Sequence, residues 1–192
     1  MVKFFKSDFY FLAPFRLIRR CIRKVNIYEQ TKNIQKIGLK ASFGVGLNIN
    51  NAGNMEIGRR LETGNFLQLS TYKDGSIKIG DFCFLGDNCK IVSDNSHISI
   101  GQNCLIAEQV SIRASNHGIK LGKNIREQKN TFAPIEIGDD TWIGKGSTIL
   151  GGAKLPNGCV IGAHSLVLSK SVLKQNCIYG GSPVKYIGKR VS

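Results

Sequence analysis

IGDDTWIGKGSTILGGAKLPNGCVIGAHSLVLSKSV, residues 137–172, repeats every six residues without a slip. Ile137, Ile143, Ile149, Leu155, Ile161 and Val167 mark the period. Four residues after each stands a small or short side chain: Thr141, Ser147, Ala153, Cys159, Ser165 and Ser171. Gly138, Gly144 and Gly162 follow the aliphatic residue directly in half of the units. A helix repeats at 3.6 residues and a strand at 2.0, so neither accounts for a period of six. A solenoid does. If each hexapeptide forms one flat face and three faces close a triangular coil, every aliphatic residue points inward and stacks on its equivalent one coil away. The small residue also points inward, where the triangle is tightest, and glycine permits the corner backbone.

Working outward, the ruler becomes legible at Ile37-Gly38 and restarts at Ile57-Gly58, Ile79-Gly80 and Ile100-Gly101. Those steps are 20, 22 and 21 residues, one coil plus a few residues at a corner. "NNAGNM" (50–55) and "YKDGS" (72–76) have the turn chemistry such corners need. Leu85, Ile91, Ile106 and Ile112 hold the inner positions between restarts, giving about seven coils. A longer interruption follows Ile112. Its hexapeptide ends on His117, and residues 118–136, polar and basic, read as a loop thrown out from the corner beside that histidine. Loops set on a rigid scaffold are where function concentrates.

Residues 1–33 are not solenoid. Pro14 can open a helix, with Phe15, Ile18, Cys21, Ile22 and Val25 on one face and Arg16, Arg19, Arg20, Arg23 and Lys24 largely on the other. Such a helix can cap the first coil, as terminal units of solenoids must be capped. It can also lie on an anionic lipid surface, a peripheral membrane contact. The division is therefore a basic helical segment (1–33), a solenoid (34–178) and a C-terminal tail (179–192).

Composition excludes several classes. A hydrophobic share of 42% with 21% charged residues describes a globular chain rather than a disordered one. No apolar run approaches the ~20 residues that cross a bilayer, and no cleavage site follows the short apolar start of the chain. Cys83, Cys89, Cys104 and Cys159 fall at small inward positions, and there is no C-x-x-C, so the six cysteines read as free thiols in a reducing, cytoplasmic compartment. The inner face of the membrane is the alternative address that the helix allows. Of the formal charge of +14, residues 1–40 carry +8. Nothing here interleaves aromatics with cations or offers a groove-reading helix, so the charge points to an anionic cofactor or membrane surface rather than to nucleic acid.

His117 in "SNHG", Trp142-Ile143-Gly144 and the Gly181-Ser182-Pro183 tail, taken with the hexapeptides, resemble the hexapeptide-repeat acyltransferases, and among them sugar and polysaccharide O-acetyltransferases. The resemblance spans roughly residues 34–188. It implies an all-β fold, a left-handed parallel β-helix, and a homotrimer with coenzyme A bound in grooves between neighbouring solenoids. It implies that acetyl-CoA is the acetyl donor, that His117 is the general base, and that the backbone at Gly144 and Lys145 meets the oxyanion. Trp142, Gly144, Ala163, His164, Lys170, Pro183 and Lys185 fall along the implied cofactor groove. Asp87 and Asn88 lie where related enzymes carry an acceptor-binding asparagine, and Glu127 in the loop can orient His117 or meet the acceptor. The chemistry agrees: a sugar hydroxyl is a poor nucleophile at neutral pH, and histidine titrates nearest that range. His97 reads as a solvated corner residue. No metal is implied, since position 122 is Gly and the H-x4-H pair of the zinc-binding γ-class carbonic anhydrases is absent. The expected acceptor is a glycan of capsule or lipopolysaccharide O-chain; the alternatives are N-acetylation of an amino-sugar nucleotide and a non-catalytic assembly module.

Overall fold

A computed structural model describes the backbone of residues 8–191 and the side chains of 17, 18 and 20–191. Three columns of short parallel strands form the faces of a triangular prism, a left-handed β-helix of about seven turns. Face 1 stacks Ile37, Ile57, Ile79, Ile100, Ile137 and Leu155 in register. The first four are the residues at which the sequence ruler restarts, and the irregular steps between them are absorbed at corners. Face 2 stacks Thr63, Leu85, Ile106, Ile143, Ile161 and Tyr179. Face 3 stacks Ile49, Leu69, Ile91, Ile112, Ile149 and Val167.

The side chains explain the stack. From Leu61 to Val167 the inward aliphatics are at most 3% exposed, so each contributes burial of ~1.5–3 kcal/mol. At several turns the small inward position is more than small: it carries a donor. Sγ–H of Cys83, Cys89 and Cys104 donates to the carbonyls of Gly101, Ala107 and Gly138, at 3.1, 3.0 and 3.2 Å. Ser147 Oγ donates likewise to Gly162 at 2.9 Å. Corner backbone groups that lie outside the strand ladders thereby find partners inside the prism. All six cysteines are free thiols; Cys21 is exposed and the other five are buried.

Side chains also brace the corners from outside. The Oδ1 atoms of Asp81, Asp139 and Asn157 accept the backbone N–H of Arg59, Gln102 and Asp139 at 2.7, 2.9 and 2.9 Å, each tying one coil to the coil before it. These three lie on edge 1, between faces 1 and 2. On edge 2, between faces 2 and 3, Asn65 and Asp87 do the same for Val45 and Asn65, at 3.0 and 2.6 Å.

Both ends depart from the repeat. Helix α1 spans Asp8–Thr31 and so begins ahead of Pro14, the residue from which the sequence suggested it would start. Phe15, Arg16 and Arg19 lie outside the described side chains. At its C-terminal end Ile27 packs on the core, Arg23 Nη2 donates to Phe43 O at 3.0 Å, and Gln30 Oε1 accepts from Ile49 N at 2.7 Å. At the far end, Cys177–Gly180 completes face 2 and Lys185–Lys189 returns antiparallel against it. Arg190 anchors that return on Asp140 at 2.7 Å. Residues 177–180, read in part as tail, are thus the last strand of the prism.

Candidate active site

The chain leaves the prism after face 3, at edge 3, between faces 3 and 1. Ser115–Asn116 there pairs antiparallel with Thr131–Phe132, and the solenoid resumes at Ile135. The extruded segment is therefore a hairpin, and the sequence showed only a loop because two-residue strands carry no period. Its tip organises itself: Gln128 accepts from Lys120 N at 2.8 Å and donates to the carbonyls of Lys120 and Lys123 at 2.9 and 3.1 Å. Lys73 lies over the Phe132 ring at 5.2 Å and pins the returning arm to an earlier coil. His117 follows the first hairpin strand directly, exposed, at the root of the extrusion. Glu127 ends the short 3-10 turn Ile125–Glu127 and accepts from Asn124 at 3.3 Å, so its carboxylate serves its own turn.

A second group of residues shares edge 2. Asp87, Glu108, Lys145 and Ala163 are equivalents on successive coils, about 4.8 Å apart per step, so they line some 14 Å of edge. The backbone hydrogen bonds Gln109 N to Asp87 O, Gly146 N to Glu108 O and His164 N to Lys145 O fix that order at 2.8, 3.0 and 2.7 Å. The Gly144 N–H donates to Ile161 O at 2.7 Å and belongs to the ladder. Of the two residues read as oxyanion donors, only Lys145 therefore keeps a backbone N–H without a partner among the described residues. Its ammonium stands 3.3 Å from Glu108 Oε1. Glu108's own N–H, and then Lys145, hold that carboxyl below the usual range.

His164 and Asn88 both adopt left-handed backbone on this edge (φ 53° and 57°), a conformation that asparagine tolerates. The imidazole of His164 lies across Gly146, where a Cβ would come within 2.6 Å of Nδ1. Trp142 stands beside the edge, on face 2, half exposed at 52% and paired in register with Leu105 and Val160. Its side chain points outward from the face, next to the corner. Asp87 has the structural duty already described, on Asn65 N–H, which sequence reading missed; the signal was there in the Asp recurring after the aliphatic-glycine pair at positions 81, 87 and 139.

The remaining candidates divide. Lys170 lies on edge 3 with His117, next to Ser169, which packs against Gly152. Pro183 and Lys185 belong to the turn and strand that close the far end, where Val184 N donates to Leu166 O at 3.0 Å and covers the end of face 3. His97 opens a strand of face 1, exposed beside Glu136 and Lys154 in a cleft of about 530 Å³, instead of sitting in a corner. Within one chain, then, His117 and the edge holding Lys145 and His164 are separated by the width of face 3. That is roughly 10 Å across a three-residue strand such as Thr148–Leu150. Among the described residues, no cluster of three or more His, Cys, Asp or Glu could hold a metal ion.

Comparison with known proteins agrees with this architecture. The family profile "Bacterial transferase hexapeptide (six repeats)" matches residues 134–169, and "Hexapeptide repeat of succinyl-transferase" matches residues 76–107. In these two stretches the chain is similar to the hexapeptide-repeat acyltransferases. A probable acetyltransferase of Mycobacterium tuberculosis is 30% identical to this chain over 138 residues, 72% of this chain and 38% of that protein. A chloramphenicol acetyltransferase of Morganella morganii is 50% identical over 56 residues, 29% of this chain and 26% of its own length. The chain thus spans well under half of these curated relatives. Among solved structures, the N-acyltransferase AntD of Bacillus cereus, in complex with dTDP-4-amino-4,6-dideoxyglucose and coenzyme A, superimposes with a TM-score of 0.70 at 20% identity. That match covers 84% of this chain and 87% of AntD. A maltose O-acetyltransferase of Clostridium difficile 630 gives a TM-score of 0.54 at 21% identity, over 84% of this chain and 72% of that one. At such identities these two likenesses speak to the fold.

Proposed function

We propose that this chain is an acetyl-CoA-dependent O-acetyltransferase acting on a sugar hydroxyl of a capsular or lipopolysaccharide O-chain glycan, with His117 as general base. The observation that carries the reading is the placement of His117. It is exposed at the root of a hairpin that holds itself together through backbone pairs and Gln128, so the fold makes no visible use of the imidazole. In the reaction the acceptor oxygen attacks the thioester carbonyl while the imidazole takes its proton. The Lys145 N–H meets the charge that develops on the carbonyl oxygen. Collapse of the intermediate breaks the carbon–sulfur bond, and the proton on His117 returns to the departing thiolate.

The proposal includes a homotrimer. His117 and edge 2 lie on opposite sides of face 3, so one copy does not bring them together. Three prisms about a three-fold axis can set edge 3 of one beside edge 2 of the next. The hairpin tip presents Ile119, Leu121 and Ile125 at 80%, 101% and 57% exposure, apolar surface that a neighbouring copy would cover. Coenzyme A would then lie along edge 2 past Trp142, Ala163 and His164. Five buried free thiols fit the reducing cytoplasm.

N-acylation of an amino-sugar nucleotide is the second reading, favoured by the likeness to AntD and its bound amino-sugar nucleotide. The test is acetyl transfer from acetyl-CoA across glycans and amino-sugar nucleotides, with the product's mass and linkage determined for wild type and His117→Ala. An O-acetylated glycan made only by wild type supports the proposal; an acetamido product establishes the second reading. A His117→Ala variant as active as wild type removes the histidine from the mechanism, and no transfer to any acceptor favours the assembly-module reading.

A further inference from the structure

Helix α1 packs on the first coil with one face and exposes an apolar stripe on the opposite one. At about 100° per residue, Arg23, Ile27 and Gln30, which contact the coil, cluster on one side. Leu17, Ile18, Val25 and Tyr28 gather on the other and are 64%, 55%, 62% and 65% exposed. A helix serving only as a cap would turn these side chains toward the prism. Arg20 and Lys24 flank one border of the stripe, both exposed, and residues 9–28 contain no acidic side chain.

We infer that this stripe is a docking surface for an anionic lipid bilayer, with α1 lying in the plane of the interface. Three observations choose this occupant. The stripe with its cationic border has the form of an interfacial helix, apolar side chains entering the acyl boundary and cations meeting phosphate. A second copy docked antiparallel, stripe to stripe, would bring the Arg20 and Lys24 pairs together, like charge against like. Among the described residues no helix is long and apolar enough to cross a membrane, so the helix would lie on the surface rather than span it. The sequence ahead of the stripe continues both themes: Lys3 and Lys6 precede it, and five of the 10 phenylalanines fall within the first fifteen residues. The inference stands apart from the acetyl-transfer reading.

The test is flotation of the full chain with vesicles of phosphatidylcholine alone and with about 30% phosphatidylglycerol. Binding to the anionic vesicles, weakened at high salt, is the expected result. Ile18→Gln with Val25→Gln should weaken it more than tenfold, from the lost apolar burial. Arg20→Gln with Lys24→Gln should weaken it ~25-fold, about fivefold per charge. Because all four side chains are exposed, neither pair should alter the thermal midpoint or the mass by light scattering. Equal binding to both vesicle types, binding that survives the stripe substitutions, or no vesicle binding at all would overturn the inference. A fall in mass or midpoint on replacing Ile18 and Val25 would assign the stripe to a second copy instead.

Discussion

Ile149→Ala is the sharpest probe of the stacked register. Ile149 is 0% exposed, with Ile112 and Val167 as its neighbours on the adjacent coils of face 3. Truncation removes three carbons, about 2.4 kcal/mol of transfer free energy at ~0.8 per carbon. The cavity adds to this, because hydrogen-bonded ladders on both sides hold the coils apart and prevent collapse. The total should reach ~3–5 kcal/mol. Leu150→Ala, at the outward neighbouring position and half-buried, should cost about 1 kcal/mol. Urea unfolding followed by circular dichroism measures both. A double-mutant cycle then examines the spacing. Ile149→Ala with Ile112→Ala should be non-additive, because the two truncations share one void. Ile149→Ala with Leu69→Ala, three coils and ~14 Å away, should add within ~0.5 kcal/mol. A loss below ~1 kcal/mol for Ile149→Ala, or equal coupling in the two cycles, would refute the stacking.

His117→Ala should leave the melting curve unchanged and lower kcat ~10²–10⁴-fold with little change in acetyl-CoA binding. His164→Ala should instead raise the KM for acetyl-CoA more than it lowers kcat. Asp87→Ala should cost about 1 kcal/mol by removing the exposed bond to the Asn65 N–H, and Asp87→Asn should restore most of it; an Asn variant of native stability with a raised acceptor KM would reveal a second, binding role. Burial pushes the Cys89 and Cys159 thiols up to about 11 from the ordinary 9.0. Their neutral forms are therefore favoured in the fold, and stability that is fully present below pH 9 should fall as pH rises toward 11, a loss that Cys89→Ser with Cys159→Ser should blunt in thermal scans. In native protein a thiol reagent should label Cys21 alone.

The prism was legible because its core obeys one rule repeated at fixed spacing. Ile137, Ile143 and Ile149 announce three faces, and Ile37, Ile57, Ile79 and Ile100 locate the earlier coils even where corners add residues. The donor role of Cys83 and Ser147 was not legible, because spacing shows size and not where a hydrogen points. The site was legible as a set of residues and not as an arrangement. Nothing in a linear pattern says that His117 and Lys170 share edge 3 while Asp87, Lys145 and His164 share edge 2. That division depends on how many residues each corner consumes. The hairpin escaped because two-residue strands leave no period, and the apolar face of α1 was legible without its orientation, since amphipathicity does not tell which way a face is turned.

The returning strand Lys185–Lys189 bears on a hazard built into the architecture. A prism of constant cross-section is, in effect, a short length of fibre, and an open last coil would template the first coil of another molecule as it does its own. Running antiparallel, with its register shifted between Ile178 and Tyr179, this strand offers the next molecule a hydrogen-bonding row of the wrong polarity on face 2. The turn before it lies over the end of face 3. The length of the solenoid is thus a property of one chain, and head-to-tail polymerisation is stopped by a few residues whose contribution to the core is small.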